Sequence, residues 1–185
     1  MTKLRVVFFG SPDFAVPSLR AVAAQHDVAL VVSQPDRPAG RGLELKPPPV
    51  KELAIELGLE VAQPVSPLKR EEALLERLRS LAPDVFVVVA YGRILPQAWL
   101  DVPRLGPYNV HASLLPKYRG AAPIQWSIIR GETETGVCVM RMEAGLDTGP
   151  VLARRAIPIR PDDTTGTLAP RLAAVGAELL SESLP

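Results

Sequence analysis

Residues 84–90, DVFVVVA, hold five consecutive apolar side chains, Val85 to Val89, so both alternating sets of positions are hydrophobic. A strand with one wet face alternates apolar and polar residues, so an unbroken run of this kind belongs in a parallel sheet covered by helices on both sides. LRVVFF (4–9) and VALVVS (28–33) repeat the pattern upstream, and LEVAQP (59–64) offers a short further strand. Helical segments alternate with them: an alanine-rich stretch capped by Asp13 and running to about Gln25, VKELAIEL ending at Gly58, and a proline-opened, leucine-faced helix in PLKREEALLERLRSLAP. This alternation predicts an α/β fold, a doubly wound, mostly parallel (Rossmann-like) sheet with helices on both faces.

The second half adds strands to that sheet: GPYNVHAS, then ETGVCVMRM and PVLARRAIPI joined by EAGLDTG, with a short helix in APIQWSIIRG. A last helix spans TTGTLAPRLAAVGAELLSESL, where Pro170 must sit in the first turn or kink the helix. QPDRPAGRGLELKPPP (34–49), with five prolines and two glycines, breaks all periodicity and is read as a loop. In such folds ligands gather beyond the carboxyl ends of the strands.

At 185 residues, 47% hydrophobic and 22% charged, the chain fits one core. A net charge of +1 argues against non-specific coating of nucleic acid, so any such partner needs a local patch. The single cysteine, Cys138, reads as a small apolar residue in an alternating strand of a cytoplasmic protein. No run reaches membrane-spanning length, and no membrane partner is expected. Gly10 stands without a dinucleotide fingerprint and no phosphate-loop motif occurs, so neither NAD nor ATP is expected. His26 and His111 are the only histidines, so no metal is expected either.

YNVHASLLPKYRG (108–120) carries the chemistry. On an extended strand Asn109 and His111 share a face. The amide offers donors to a developing oxyanion and the imidazole moves protons near neutrality, a pair suited to acyl transfer. Asp147, in the glycine-flanked turn AGLDTG, is the carboxylate candidate that fixes the ring and takes up an amine proton. Each has a structural alternative: a satisfied histidine at a strand end, an asparagine pinning a turn, an aspartate in a turn. SLLPKYRG adds a rigid turn at Pro116, where a cis bond after Leu115 is allowed, and a basic rim at Lys117 and Arg119. Ser113 lacks the strand–turn–helix setting of a hydrolase nucleophile.

NVHASLLPKYRGAAPIQW together with GLDTGP resembles the folate-dependent formyltransferase family, as do FFGSPDFAVPSL and QPDRPAGRG, in order along nearly the whole chain. The resemblance implies direct formyl transfer from 10-formyltetrahydrofolate to an amine through a tetrahedral intermediate, with Asn109, His111 and Asp147 as the catalytic set. It places the folate beside Val89, Tyr91, Ile94, Leu95, Ser113, Leu114, Leu115, Pro116, Met142 and Ala144.

The loop from Gln34 to Lys51 sets Arg37, Arg41, Lys46 and Lys51 against Asp36 and Glu44, a local excess of two positive charges compatible with phosphate contact. Within the resembled family, such a loop in members that formylate charged initiator tRNA for translation initiation reaches the acceptor stem. Arg37, Arg41 and Lys46 are then the expected RNA contacts, with Arg41 the key one, and initiator methionyl-tRNA is the expected partner of a monomer. Residues 1–185 correspond to the catalytic domain, and the family's C-terminal β-barrel domain is expected to be missing from the chain. Competing readings are formylation of a nucleotide-linked amino sugar, hydrolysis of the donor by the same three residues, and a non-enzymatic folate- or RNA-binding module.

Overall fold

The computed structural model describes residues 3–39 and 44–184. Its centre is a seven-stranded sheet built from β1 (Arg5–Gly10), β2 (Asp27–Val32), β5 (Val61–Ala62), β6 (Val85–Val89), β7 (Gly106–His111), β8 (Glu134–Arg141) and β9 (Val151–Pro158), in the spatial order β5-β2-β1-β6-β7-β8-β9. The first five in that order are parallel, while β8 runs antiparallel to β7 and β9 antiparallel to β8. The α/β expectation therefore holds, including the added strands. The chain builds outward from β1 on one side, then returns to place β6 on the other, which puts a switch point between β1 and β6.

Strand alternation divides the core into two layers. Val6 and Phe8 of β1 and Val85, Val87 and Val89 of β6 pack against α1 (Val16–Gln25), α2 (Pro49–Glu56), α5 (Pro123–Ile129) and α6 (Thr165–Ser183), here called the first face. Val7 and Phe9 with Phe86 and Val88 pack on the second face against α3 (Glu72–Ser80) and α4 (Gln97–Leu100). Phe9 sits 4.9 Å from Phe86, 5.5 Å from Tyr91 and 6.3 Å from Trp99 by ring centroids. Burying each such ring is worth about 1.5–3 kcal/mol, so this cluster stiffens the carboxyl end of β6, where the chain leaves the sheet.

Several local expectations are corrected. Asp13 caps nothing: it opens a single 3-10 turn (Asp13–Ala15), and α1 begins at Val16 without a side-chain cap. Residues 34–49 are not simply a loop, because β3 (Arg37–Ala39) and β4 (Glu44–Lys46) pair antiparallel as a two-stranded ribbon. Prolines hide such a ribbon from propensity, and an edge position tolerates Pro38 because no second neighbour needs its missing N–H. The leucine-faced segment splits into a 3-10 turn (Leu68–Arg70) and the shorter α3, and the sequence did not reveal α4. Cys138 is buried, but β8 is apolar-buried on both sides from Thr135 to Met140 rather than alternating, since α6 covers one side and Leu115 the other.

α6 runs unbroken through Pro170, which lies beyond the first turn. The capping box between Thr164 and Thr167 secures its start, and Leu168 and Leu172 on either side of the proline remain fully buried. Pro170 itself is exposed, so its missing donor and its ring fall on the solvent side of the helix. None of the described helices is long and apolar enough to cross a membrane.

Candidate active site

β7 delivers the two polar residues. Tyr108 and Val110 point into the first face, so Asn109 and His111 point together to the second. β8 pairs with them in register, Asn109 opposite Met140 and His111 opposite Cys138, and then turns back toward β9. Met142 N–H donates to the Pro107 carbonyl at 2.8 Å and Arg141 N–H to that of Pro150 at 2.9 Å, closing the base of the turn. At Gly149 a Cβ would overlap the Arg141 carbonyl, so only glycine lets the returning chain press this close to β8.

That turn lowers Asp147 onto β7. Its φ is +50°, in the left-handed region that aspartate and asparagine tolerate better than other side chains. Oδ1 lies 3.5 Å from Asn109 Nδ2 and Oδ2 lies 3.6 Å from His111 Nδ1. Gly120 N–H donates to Oδ2 at 2.8 Å and fixes the carboxylate. The three residues nominated by the sequence therefore converge, with the His111 and Asp147 side chains only 7% and 14% exposed.

His111 Nε2 is 2.9 Å from the Tyr118 carbonyl oxygen. A carbonyl can only accept, so Nε2 carries a hydrogen, and Nδ1 is the nitrogen facing Asp147. Tyr118 is held in turn by its hydroxyl, which donates to Glu132 at 2.7 Å, while Lys117 Nζ donates to the same carboxylate at 2.9 Å and 3.0 Å. These bonds, Tyr118 first and Lys117 second, hold the Glu132 carboxyl below the usual range and push the Lys117 ammonium and the Tyr118 phenol up. Lys117 is thus committed to Glu132, and of the two exposed members of the expected basic rim Arg119 is the one that pairs with no carboxylate among the described residues. Ser113 is fully buried and donates to the Lys117 carbonyl at 2.6 Å, which removes it as a nucleophile; the Leu115–Pro116 bond beside it is cis.

Among the described residues, five non-glycine positions have positive φ: Ala82, Ala90, Tyr118, Ala122 and Asp147. Four of them frame this site, as Ala90 and Asp147 line it, Tyr118 holds His111 and Ala122 precedes α5. Backbone in such regions costs of order 1–3 kcal/mol per residue and gathers where function dictates geometry.

The trio lines a cavity of about 620 Å³ beyond the carboxyl ends of β6 and β7, within the size range of small-molecule sites. Its wall includes residues packed on both faces of the sheet, and the two parts of the wall are called its lobes. The second-face lobe is formed by Val88, Tyr91, Leu95, Leu100 and Met142, with Arg93 and Glu143 as its charged members. The first-face lobe contains Phe14, Pro123, Ile124, Thr165 and Ala169.

Of the residues expected to line a folate pocket, Tyr91, Ile94, Leu95, Met142 and Ala144 are in the wall. Val89 is not: it points into the first-face core, fully buried, and its neighbours Val88 and Ala90 line the cavity instead. Ser113, Leu114, Leu115 and Pro116 also lie off the wall, because the chain turns away after Ala112 and Leu115 packs with Cys138 and Met140 behind it. Arg93, Glu143 and Phe14 were passed over. Phe14 and Glu143 sit in the stretches FFGSPDFAVPSL and EAGLDTG, whereas the Gly120 amide and Tyr118 carbonyl are backbone groups with no sequence signature.

On the ribbon, Arg37 pairs directly with Lys46, and both are exposed. Arg41 lies outside the described residues. Lys51 is not a free cation: its ammonium donates to Gln63 at 2.8 Å and to Asp36 at 2.8 Å and 2.9 Å, and this last pair of bonds, with a donation from Gln63 Nε2 at 2.7 Å, holds the Asp36 carboxyl below its usual range.

Residues 4–184 match a family described as formyl transferase. The methionyl-tRNA formyltransferase of Xylella fastidiosa (strain M23) is 60% identical over 98% of this chain and 58% of its own length. That of Koribacter versatilis (strain Ellin345) is 58% identical over 97% of this chain and 57% of its own length. The chain therefore spans a little under three fifths of these relatives. Among solved structures, glycinamide ribonucleotide transformylase 1 from Geobacillus kaustophilus superposes with a TM-score of 0.80 at 27% identity, covering 99% of this chain and 97% of that one. A formyltetrahydrofolate deformylase from Pseudomonas syringae pv. tomato shares the fold, with a TM-score of 0.77 at 22% identity over 98% of this chain and 60% of that one.

Proposed function

The chain belongs to the formyl transferase family, and from that premise we propose that it transfers the formyl group of 10-formyltetrahydrofolate to the amino group of initiator methionyl-tRNA. The observation that carries the reading is the convergence of Asn109, His111 and Asp147 on the wall of one cavity. The identity to methionyl-tRNA formyltransferases supports the acceptor. Residues 1–185 are read as the catalytic part, acting in the cytoplasm as a monomer.

The second-face lobe suits the donor, since its apolar walls accept a flat ring while Arg93 and Glu143 can meet polar ring edges. Tyr91, Ile94, Leu95, Met142 and Ala144 would line it. When bound, the folate supplies a formyl carbon attached to a nitrogen that can leave. The acceptor amine forms a bond to that carbon and the carbonyl oxygen gains negative charge; the carbonyl then re-forms as the bond to the folate nitrogen breaks, and that nitrogen takes up the proton that the newly bonded amine gives up. Asn109 Nδ2 donates to the oxyanion, and Nδ1 of a doubly protonated His111 does the same. Each such donor is worth roughly 3–4 kcal/mol of barrier. With Nε2 committed to Tyr118, proton traffic on the ring runs through Nδ1 alone. Asp147 offsets the charge of the ring and receives the proton that the attacking ammonium must lose, through a water molecule.

His111→Ala and Asn109→Ala test the reading. Donor affinity is expected to stay within a few-fold of the native chain, while turnover falls by about 10²–10³-fold for Asn109 and about 10²–10⁴-fold for His111. Turnover unchanged in either variant contradicts the assignment. Formate released without an amine product, by the native chain, points to donor hydrolysis instead.

A further inference from the structure

His111 and Asp147 are both held by backbone atoms of one short stretch. The Tyr118 carbonyl accepts from His111 Nε2 at 2.9 Å, and two residues on the Gly120 N–H donates to Asp147 Oδ2 at 2.8 Å. No substitution removes a main-chain carbonyl, so the geometry of the pair depends on whatever fixes residues 118–120. That stretch is neither helix nor strand, and it follows an unfavourable path: φ is +53° at Tyr118, +82° at Gly120 and +57° at Ala122. Left-handed backbone outside glycine persists only where surrounding groups over-determine it. Apolar packing does not supply this for Tyr118, which is half-buried and belongs to none of the three apolar clusters.

Resting on the formyl-transfer reading above, we propose that Glu132 is a positioning residue for the reaction: through the Tyr118 hydroxyl it holds the 118–120 backbone that orients His111 and Asp147. Glu132 suits an anchor because its own main chain is fixed from another element. It follows α5 and Gly131, whose φ of +67° ends that helix; Gly131 N–H donates to the Ile128 carbonyl at 2.9 Å and Glu132 N–H to that of Ser127 at 3.0 Å. This is the Schellman arrangement, and β8 begins two residues later at Glu134. From there the carboxylate reaches back to the loop. Oε1 accepts from the Tyr118 hydroxyl at 2.7 Å and from Lys117 Nζ at 3.0 Å, and Oε2 accepts from Lys117 Nζ at 2.9 Å. Ser113 secures the preceding peptide by donating to the Lys117 carbonyl at 2.6 Å. Lys117 and Tyr118 are thus tied one after the other, and the Tyr118 carbonyl is left aimed at the imidazole. Released from Glu132, the Tyr118 peptide is free to leave its left-handed conformation and take that carbonyl away from Nε2. A neutral His111 then carries its hydrogen on either nitrogen, and a displacement of about 1 Å in such a pair is enough to cost about 10²-fold in rate.

Glu132→Ala, Glu132→Gln and Tyr118→Phe should be compared with the native chain by formyl transfer to methionyl-tRNA, by donor Kd and by the nitrogen NMR spectrum of the imidazoles. Only His26 and His111 contribute to that spectrum, and His26→Gln assigns them. Glu132→Ala and Tyr118→Phe are each expected to lower kcat by about 10- to 10²-fold with donor Kd within a few-fold of the native value. The neutral His111 signal is expected to change from one tautomer, with its hydrogen on Nε2, to a mixture of two. Glu132→Gln keeps an acceptor for the Tyr118 hydroxyl and is expected to recover most of the lost turnover. Glu132→Ala combined with Tyr118→Phe should be no slower than the slower single variant, since both remove one bond. Turnover unchanged in Glu132→Ala and in Tyr118→Phe overturns the proposal, as does a His111 signal that keeps a single tautomer. Loss of donor affinity in step with kcat also overturns it, because Glu132 then only supports the fold; Tyr118→Phe carries the test where Glu132→Ala does not fold. The spectrum needs no acceptor. A native chain that transfers nothing to charged tRNA therefore contradicts the acceptor reading, while the tautomer shift by itself supports or overturns the anchor.

Discussion

His111 has one ring nitrogen committed to the Tyr118 carbonyl and one facing Asp147, and this asymmetry makes Asp147 the most informative residue to change. Asp147→Asn keeps an acceptor for Gly120 N–H and keeps a side chain suited to φ +50°, but removes the charge. Turnover is expected to fall by about 10²–10⁴-fold with donor affinity little altered, measured as kcat against donor Kd. Equal loss of both would mean that the aspartate acts on the turn rather than on the proton. At this scale the sequence was legible where periodicity speaks: a strand repeats every two residues, which set Asn109 and His111 on one face. The resemblance set the folate beside Val89, whose side chain lies in the first-face core while that of Val88 lines the cavity. The Gly120 amide and the Tyr118 carbonyl were not legible at all, because every residue type but proline carries an amide and every residue a carbonyl.

The ribbon is the element whose construction most suggests a missing partner. Arg37 and Lys46 stand directly opposite one another, an arrangement that costs stability between strands and favours an anion close by. At their base Lys51, Asp36 and Gln63 form a closed network, and Gln63 Nε2 donates to the Gln34 carbonyl at 2.8 Å while Gln34 Nε2 donates to that of Tyr91 at 3.0 Å. The ribbon is thereby tied to the wall of the donor lobe. Arg37→Ala and Lys46→Ala are each expected to weaken transfer to charged tRNA, with the slope of log affinity against log salt falling by about one per residue removed. Arg41→Ala is expected to impair transfer with donor binding intact. Salt slopes equal to the native value would remove these residues from the RNA interface. Periodicity identified the segment as irregular and charged, but pairing between its halves is a tertiary outcome that prolines disguise.

Across the whole molecule, acid exposes which groups the fold depends on. Backbone and arginine contacts hold Asp84 and Asp163 below the usual carboxylate range, as Lys51 does Asp36 and Tyr118 does Glu132. A depressed carboxylate adds stability that is present above its unfolded value, about 4, and is lost as pH falls through the folded one. Burial lowers His26, which accepts Leu4 N–H on Nδ1; the unfolded chain then takes the proton first, and stability begins to decline below about pH 6.5. Thermal unfolding from pH 8 to 3 is expected to show a shallow fall starting near that value and a steeper one below about pH 4. His26→Gln should remove the shallow step, and a rise in stability on acidification would contradict the account. Fold class was legible because two-sided hydrophobic strands admit few architectures, while the cavity was not, since it exists only where β6, β7, α5 and α6 meet. The most direct test is formyl transfer from 10-formyltetrahydrofolate to methionyl-tRNA by the native chain, at low salt and high protein concentration, beside free methionine and a donor-only control. Formyl-methionyl-tRNA above both controls is the expected result. Donor bound or hydrolysed with no formylated tRNA would contradict the acceptor, and no donor binding at all would contradict the site.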